Sequence, residues 1–377
     1  MKKSIIFLTP DYHCSFFYRD ELRKLGWKAD IFVPAWYPLK LLYSKKDIIT
    51  NHRELSNKNN LIYHIKNFYK YKYFFFYGGL EQYSVIMYIF HRIFYHHYLS
   101  RIFNYPKFRI ELSLAKLLRI KIIYLPTGVP DEDMPHILEK LGNEETGLKF
   151  EDSKKMKRIF KVIRRYSDLN IGQGTFNSSQ FKARHIKYKS IDLNLWHTNI
   201  KIPDDYKLPQ TKNLRILHSS MFSDERIKKH GGDIKGSFFV QKAVEKLKDE
   251  GYNIEFLFIK DVSSNQMRFL QVQADIVVEQ LIRGWWGSTG VETMALGKPV
   301  VCYLRPEWKE FFFKTFPEYD ELPIVEANKV NIYDVLKNLV EDEQFRINAG
   351  RKSREFAERH FNPETNAKEL EGILLKL

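Results

Sequence analysis

Short apolar segments alternate with longer amphipathic ones along much of this 377-residue chain. The apolar segments have the length of buried strands, and the longer segments carry apolar residues at helical spacing. Between Phe239 and Asp249 such residues recur on one helical face, and Gly251 follows as a helix stop. The predicted strands are Ser4–Thr9, Ala29–Val33, Tyr73–Tyr77, Lys121–Leu125, Leu169–Ile171, Leu214–His218, Ile254–Ile259, Ala274–Val278 and Pro299–Tyr303. The predicted helices are Phe16–Leu25, Phe239–Asp249, Gly290–Leu296, Val330–Leu339 and a terminal helix within 362–377.

The repetition of strand and helix predicts an α/β protein with parallel sheets that helices cover on both faces. Two such units follow one another, because a polar stretch with two prolines at 196–213 separates them. We therefore predict two Rossmann-like domains, an N-terminal one over residues 1–200 and a C-terminal one over 201–360. The terminal helix at 361–377 would pack back on the N-terminal domain.

No segment of the chain is both apolar enough and long enough to cross a membrane. The first apolar run ends at Pro10, which is too early for the core of a signal peptide. The chain has only two cysteines, Cys14 and Cys302, and two cysteines cannot build a disulfide framework. We therefore expect a protein of the reducing cytoplasm.

The excess of 61 basic over 46 acidic residues gives a net charge of +15, which favours anionic partners. Nucleic acid, anionic lipid and phosphorylated small molecules all fit this charge. The segment 61–108 adds aromatic residues interleaved with Lys, Arg and His. These residues could stack on nucleic-acid bases or lie at a lipid headgroup interface, but ordinary packing of a strand and a helix is the favoured interpretation.

The segment 274–304 contains the most informative pattern. A buried strand ends at Glu279, a glycine-bracketed loop follows at 284–287, and a short helix begins near Gly290. Small residues at 287–290 let backbone N–H groups approach a ligand, and the positive end of the helix would then meet an anion such as a diphosphate. Glu292, in the predicted first turn, could accept hydrogen bonds from ribose hydroxyls.

A structural role for Glu292 is the alternative. Thr289 and Glu292 have the spacing of a capping box, in which the two side chains satisfy the first backbone N–H groups of their own helix. On this segment alone the two interpretations stay open.

A basic loop lies between the strand that ends at His218 and the helix that begins near Ser237. Lys235 lies at the carboxyl side of that strand, where doubly wound folds bind their ligands. Together with Arg226 it could neutralise phosphates without a metal. Other lysines of the loop, Lys228 and Lys229, are more typical of a solvated surface.

Taken in order, Lys235-Gly236, Ala274–Val278 and Gly287–Val301 resemble the C-terminal domain of the GT-B glycosyltransferases known as glycosyl transferases group 1. A weaker resemblance in the N-terminal half rests on Lys121–Asp133 and Ile191–Trp196. The resemblance implies two Rossmann-like domains across a cleft, with a nucleotide sugar mainly on the C-terminal domain and the acceptor mainly on the N-terminal domain.

The resemblance also implies roles for individual residues of the donor site. Lys235 would contact the diphosphate, Glu292 the ribose, and the backbone of 288–291 would cradle the phosphates. Gly284 departs from the pattern, because the family has at this position a glutamate that touches the donor sugar. Glu279 and the following Gln280 would line the same crevice.

Asp11 and His13 are the catalytic candidates of the N-terminal half, because they follow the first strand and should face the acceptor. An ordinary strand-end turn is the alternative. The loop Thr127–Asp131 is a second candidate for this role. The acidic triplet at 131–133 is more typical of loop surface than of a metal-held diphosphate, and the histidines show no ligand spacing, so we expect no metal site.

Together these patterns predict a metal-independent glycosyltransferase that needs no cofactor, and the resemblance implies that transfer retains the anomeric configuration. It would move a sugar from a nucleoside-diphosphate sugar to a hydroxyl of a glycan or lipid-linked glycan in bacterial surface polysaccharide synthesis. We expect contact with anionic lipid at the inner face of the membrane and no nucleic-acid partner. The predicted donor-binding residues are Arg226, Lys235, Glu279, Gly287, Ser288, Thr289, Gly290, Val291 and Glu292.

Three other classes of protein remain as alternatives. A nucleotide-sugar epimerase or hydrolase of related fold would use the same donor without an acceptor. A non-catalytic nucleotide- or glycan-binding protein would fit the loss of the family glutamate at Gly284. A nucleic-acid-binding protein would explain the charge but not the pattern at 274–304.

Overall fold

The computed structural model describes residues 2–33, 42–50, 82–88, 108–125, 161, 164–172, 183–220, 235–260 and 262–377. Several predictions of the sequence therefore lie outside the described residues. They are the strand at Tyr73–Tyr77, most of the aromatic segment 61–108, the loop and acidic triplet at 127–133, and the loop residues Arg226, Lys228 and Lys229.

The chain forms two compact units, and the last residues of the chain belong to the first unit. Of the described residues, those up to Tyr188 and those from Pro363 onward form unit 1, and those from Lys189 to Asn362 form unit 2. The chain therefore passes into unit 2 after Tyr188 and returns at Pro363.

Unit 1 is built on a parallel sheet with the strand order β3-β2-β1-β4-β5-β6-β7 among the described residues. Every residue of β1 is buried, because β1 lies between β2 and β4 in the middle of the sheet. The strands are β1 (Ser4–Leu8), β2 (Lys28–Val33), β3 (Ile49–Thr50), β4 (Val85–Tyr88), β5 (Lys121–Tyr124), β6 (Leu169–Gly172) and β7 (Arg184–His185). The helices are α1 (Cys14–Lys24), α2 (Phe108–Leu117) and α9 (Pro363–Leu374).

The C-terminal helix α9 packs against α1 in unit 1. Leu370 and Leu374 are fully buried there and belong to the same apolar core as β1. Glu371 accepts hydrogen bonds from the Trp27 indole, at 2.8 Å, and from Lys3 Nζ, at 2.9 Å. The end of the chain is thus part of the core of the unit with which the chain begins.

Unit 2 is built on a second parallel sheet with the order β12-β11-β10-β8-β9. The chain runs from β8 to β9 on one side and then to β10 on the other, so the carboxyl ends of β8 and β10 form a topological switch point. The strands are β8 (Leu214–Ser219), β9 (Ile254–Ile259), β10 (Ile276–Gln280), β11 (Val300–Cys302) and β12 (Ile324–Glu326). The helices are α3 (Ser237–Asp249), α4 (Ser264–Gln271), α5 (Ser288–Ala295), α6 (Pro306–Thr315), α7 (Ile332–Glu341) and α8 (Glu343–His360).

The apolar pattern of the sequence placed most of these elements correctly. In α3 the residues at helical spacing, among them Val240 and Leu247, are the buried ones. The strand predicted at Ala274–Val278 instead spans Ile276–Gln280, because Glu279 and Gln280 are buried and continue the strand despite their polarity. Short strands such as β3, β7 and β12 were missed, because two or three residues carry no periodicity. Within the described residues no helix has both the length and the apolar character that a membrane crossing requires.

Candidate functional site

The loop between β10 and α5 lies at the switch point of unit 2, and it ends in a helix without a side-chain cap. Gly287 is the N-cap residue, with an extended backbone, and α5 begins at Ser288. Thr289 is therefore inside the helix, so the capping-box interpretation of Thr289 and Glu292 is wrong. Glu292 lies in the second turn rather than the first, because α5 begins two residues earlier than the sequence pattern predicted.

The side chain that serves the start of α5 comes from β10 instead. Glu279 has an exposed fraction of 1%, and its Oε1 accepts a hydrogen bond of 2.7 Å from the N–H of Gly287. A Cβ atom on Gly287 would lie 2.9 Å from Oε1, and one on Gly290 would lie 2.5 Å from Oε2. A side chain at either position would therefore displace the carboxylate, which lies against the backbone. A carboxylate of the protein itself therefore meets the positive end of α5.

Lys235 approaches the same oxygen atom of this carboxylate as Gly287 does. Its Nζ is 3.9 Å from Glu279 Oε1, and its side chain has an exposed fraction of 15%. The Lys235 carbonyl accepts a hydrogen bond of 3.0 Å from the N–H of Leu281. The next residue, Gly236, has a φ of +75° and is the N-cap of α3. The backbone of Lys235 therefore joins the start of α3 to the loop after β10. Its ammonium group lies beside the N-terminus of α5, near Glu279.

His218, at the carboxyl end of β8, forms hydrogen bonds to two neighbouring elements of the same region. Its Nδ1 lies 2.8 Å from the carbonyl of Val278 and its Nε2 lies 2.8 Å from Ser237 Oγ. A carbonyl can only accept, so Nδ1 carries a proton and donates it to Val278, while Nε2 shares the second hydrogen bond with the Ser237 hydroxyl. The ring thus connects β8, β10 and the first residue of α3. The sequence indicated His218 only as the end of a strand, and no local pattern marked this role.

The position at which the resemblance expects a sugar-binding glutamate is covered by an arginine. Gly284 has a φ of +86°, and a Cβ there would lie 2.1 Å from Arg305 Cγ. The Arg305 N–H donates a hydrogen bond of 2.9 Å to the Gly284 carbonyl. Next to it, the Arg283 guanidinium lies 4.6 Å from the centre of the Trp285 ring. Arg283, in the loop, and Arg305, the N-cap residue of α6, therefore lie around the position where the family pattern has a carboxylate.

Gly284→Ala is expected to destabilise the protein by about 2 kcal/mol, from positive-φ strain and from the clash with Arg305. Gly251→Ala is the matched control, because Gly251 has a φ of +92° and nothing within 4 Å of its added Cβ. The control should show the backbone strain alone, about 1 kcal/mol. Urea denaturation of both variants measures the difference, and equal losses would contradict the packing of Arg305 on Gly284.

The end of β1 in unit 1 carries the other predicted site residues in a strained turn. Thr9 has a φ of 77° and Tyr12 a φ of 48°, values that non-glycine residues rarely adopt. Asp11 and His13, which lie between and after them, are both buried. Strained backbone of this kind often marks a functional site, but the burial of both side chains keeps them from open solvent. Their catalytic role stays a prediction.

A hydrogen-bonded group of unit 1 surrounds the Asp11 backbone. The Asp11 N–H donates a hydrogen bond of 2.9 Å to Ser15 Oγ, which lies 3.3 Å from the hydroxyl of Tyr188. The Tyr188 ring stacks on Tyr18 with 4.9 Å between centroids. Burial, together with the negative charge of Asp11, raises the pKa of the Tyr188 hydroxyl well above its usual value. Tyr188 therefore stays protonated at neutral pH.

The predicted donor residues that the structure describes come together in unit 2. Lys235, Glu279 and the residues 287–292 meet at the carboxyl ends of β8 and β10. In the parts of the chain that the structure describes, no three His, Cys, Asp or Glu side chains are arranged to hold a metal ion.

No protein-family model and no curated protein matches this chain in sequence. Solved structures do match it over nearly its whole length. HepE of Anabaena, solved in complex with UDP-glucose, has a TM-score of 0.61 at 15% identity, and the match covers 99% of this chain and 100% of HepE. Sucrose-phosphate synthase of Thermosynechococcus elongatus has a TM-score of 0.60 at 13% identity, with 100% and 99% coverage. The chain has a GT-B fold.

A third GT-B structure extends the likeness to a plant enzyme. The catalytic domain of starch synthase IV of Arabidopsis thaliana, bound to ADP and acarbose, has a TM-score of 0.58 at 8% identity, with 100% and 99% coverage. At these identities the likeness concerns the fold alone. The α/β class, the two parallel sheets and the GT-B fold expected from the sequence are confirmed.

Proposed function

We propose that this protein is a glycosyltransferase that transfers a sugar from a nucleoside-diphosphate sugar to a hydroxyl of a glycan or glycolipid. The observation that carries the proposal is the position of Lys235 beside the N-terminus of α5, at the switch point of unit 2. A helix N-terminus and a largely buried ammonium group together favour a multiply charged anion. A diphosphate has the charge and the size for this position.

The chemical reason is the charge that develops on the leaving nucleotide. When the bond between sugar and diphosphate breaks, its electrons stay on the diphosphate oxygen, and preorganised donors at that oxygen lower the barrier. Lys235 and the backbone N–H groups of Ser288 and Thr289 would supply this stabilisation. Transfer with retention of configuration, as the resemblance implies, is part of the proposal.

The nucleotide and the acceptor are proposed from separate arguments. HepE was solved with UDP-glucose and starch synthase IV with ADP, so UDP- and ADP-linked hexoses are the first donors to test. Glu292, buried in the second turn of α5, would accept hydrogen bonds from the ribose. The acceptor class rests on the resemblance and on the basic net charge, which suits a glycan linked to an anionic lipid.

A thermal-shift screen with nucleoside diphosphates and their sugars tests the proposal directly, because a ligand that binds only the native state raises the melting temperature. Binding of a nucleotide, followed by transfer from its sugar to an added acceptor, would support it. Free sugar formed from donor alone would instead indicate a hydrolase, and binding without turnover a non-catalytic protein. If no nucleotide binds, the proposal is refuted.

Glu292→Gln is expected to weaken binding of the nucleotide about tenfold, because the ribose hydroxyls lose a charged acceptor, which is worth about 1.5 kcal/mol more than a neutral one. Glu245→Gln, on the exposed face of α3, is the control and should leave the affinity unchanged. Isothermal titration calorimetry measures both. An unchanged affinity in Glu292→Gln would exclude the ribose contact.

A further inference from the structure

The carboxylate of Glu279 lies at the end of α5 where the proposed function puts the diphosphate. Glu279 Oε1 already accepts the N–H of Gly287, at 2.7 Å. Lys235, which would neutralise the diphosphate, is 3.9 Å from the same oxygen. Two anionic groups would thus share one helix end and one ammonium group. Because these groups lie out of water, the repulsion between the anions is screened weakly.

Among the described residues, the positive charges that act on Glu279 are those of Lys235 and Lys189. Burial raises the pKa of its carboxyl, and the positive charges of Lys235 and Lys189 together with the backbone N–H groups of Gly287 and Gly290 offset this only in part. The carboxyl therefore holds its proton more strongly than an exposed glutamate even before a ligand arrives.

Three other titratable groups of the described residues lie on the elements packed around Glu279. Cys302, on the neighbouring strand β11, is buried, and burial raises the pKa of its thiol, so it stays neutral. His218, on β8, uses both ring nitrogens in hydrogen bonds to Val278 and Ser237. Glu292, on α5 itself, is a second buried acid and brings no positive charge.

We propose that Glu279 takes up one proton when the diphosphate of the nucleotide sugar binds, so that Lys235 and the N-terminus of α5 are released to the ligand. The proton comes from solvent and binds at Oε2, while Oε1 keeps the hydrogen bond from Gly287. Glu279 is thus a positioning residue that sets the charge of the diphosphate subsite. This inference rests on the proposed function, because it needs a diphosphate at α5.

The pH dependence follows from the direction of the change. A bound diphosphate adds negative charge and draws Lys235 away, so the pKa of Glu279 rises further on binding. Between the pKa of the free protein and that of the complex, each bound ligand brings a proton with it. The affinity therefore falls as the pH rises through this window, by up to about tenfold per pH unit. Below the pKa of the free protein Glu279 is already protonated and the dependence vanishes.

The experiment is calorimetry with UDP-glucose, or with ADP-glucose if the screen favours ADP, from about pH 5 to about pH 8. A nucleotide sugar is used because the terminal phosphate of a free nucleoside diphosphate titrates near pH 6, as phosphate monoesters do, and would add its own protons. Repeating each titration in buffers with different ionisation enthalpies gives the number of protons taken up. The wild-type protein is expected to take up a substantial fraction of one proton.

Glu279→Gln identifies the residue that takes up the proton. The amide keeps an acceptor for the Gly287 N–H but carries no charge, so the variant should take up no proton and should bind at least as tightly as wild type near pH 8. A purely structural role for Glu279 predicts the opposite, namely weaker binding at every pH. If the variant does not fold, a wild-type protein that binds the nucleotide sugar without taking up a proton would still overturn the proposal.

Asp342→Asn is the matched control, because Asp342 caps α8 by accepting a 2.8 Å hydrogen bond from the Phe345 N–H. It removes a capping carboxylate far along the chain from Glu279 and should leave affinity and proton uptake as in wild type. Binding of the nucleotide sugar without proton uptake would overturn the role of Glu279 and leave the proposed function intact. No binding of either nucleotide sugar by the wild-type protein would overturn both.

Discussion

Gly350→Ala is expected to destabilise the protein by about 3 kcal/mol, because α8 contacts the backbone at the end of α5 at this glycine. A Cβ on Gly350 would lie 2.5 Å from the carbonyl oxygen of Gly297 and 3.4 Å from Pro299 Cδ. A backbone oxygen cannot turn aside as a side chain can. Gly297 has a φ of +67° and follows Leu296, the C-cap residue of α5, so the two elements would have to separate.

The helix α9 provides a control for the same substitution. Gly372 is also a helical glycine, but nothing lies within 4 Å of a Cβ added there. Gly372→Ala should therefore stabilise the protein by up to about 1 kcal/mol through helix propensity. Urea denaturation measures both variants. If the two substitutions shift the midpoint by the same amount and in the same direction, the close contact between α8 and Gly297 is wrong.

The loss in Gly350→Ala should extend to ligand binding. The Arg354 side chain, one turn further along α8, donates hydrogen bonds to the carbonyls of Ala295 and Trp196. α8 thus supports the C-terminal end of α5, whose N-terminus carries the proposed diphosphate site. We expect the affinity of Gly350→Ala for the nucleotide to fall as well.

Lys235→Met is expected to weaken binding of the nucleotide about thirtyfold, which corresponds to about 2 kcal/mol. Methionine keeps most of the apolar stem, so the variant removes the charge-assisted hydrogen bond to the diphosphate rather than the packing. The loss should be larger at high pH, where an ionised Glu279 without its nearest ammonium group repels the ligand most strongly. Titration calorimetry at two pH values measures both effects.

Lys242→Met is the control for this substitution. Lys242 lies on α3, a few residues after Lys235 in the chain, but it is exposed. Its ammonium group lies 4.5 Å from the centre of the Phe238 ring. The net charge of the two variants is the same, so a general effect of charge on an anionic ligand would weaken both equally. Equal affinities in Lys235→Met and Lys242→Met would contradict a contact between Lys235 and the diphosphate.

The sequence was sufficient for the elements that depend on continuous burial. The strands β8, β9 and β11 and the helix α3 follow from apolar runs and helical spacing, because parallel strands covered on both faces need apolar residues throughout. The order of Lys235, the strand β10 and the glycine-rich turn also indicated that these segments belong to one region, and the structure brings them together. These are local properties, which neighbouring residues of the chain decide.

The start of α5 shows the limit of local patterns. The sequence offered Thr289 as its cap, but the backbone N–H of Gly287 is bound by Glu279, which belongs to the preceding strand. Whether a carboxylate reaches a helix end depends on how the strand and the helix pack, and the residue spacing does not contain that information. The strand β4 was missed for a related reason, because Val85–Tyr88 lies in an aromatic segment whose pattern did not distinguish strand from helix.

The sequence by itself determined the α/β class and the two units with parallel sheets. It also indicated the residues of the second unit that could meet an anion. Only the tertiary structure decided that Glu279 and Lys235 share the N-terminus of α5, and that Arg305 covers Gly284. The physical reason is that secondary structure follows from the burial pattern of neighbouring residues. The charge of a site depends instead on side chains from different strands and loops, which the fold brings to the same edge of a sheet.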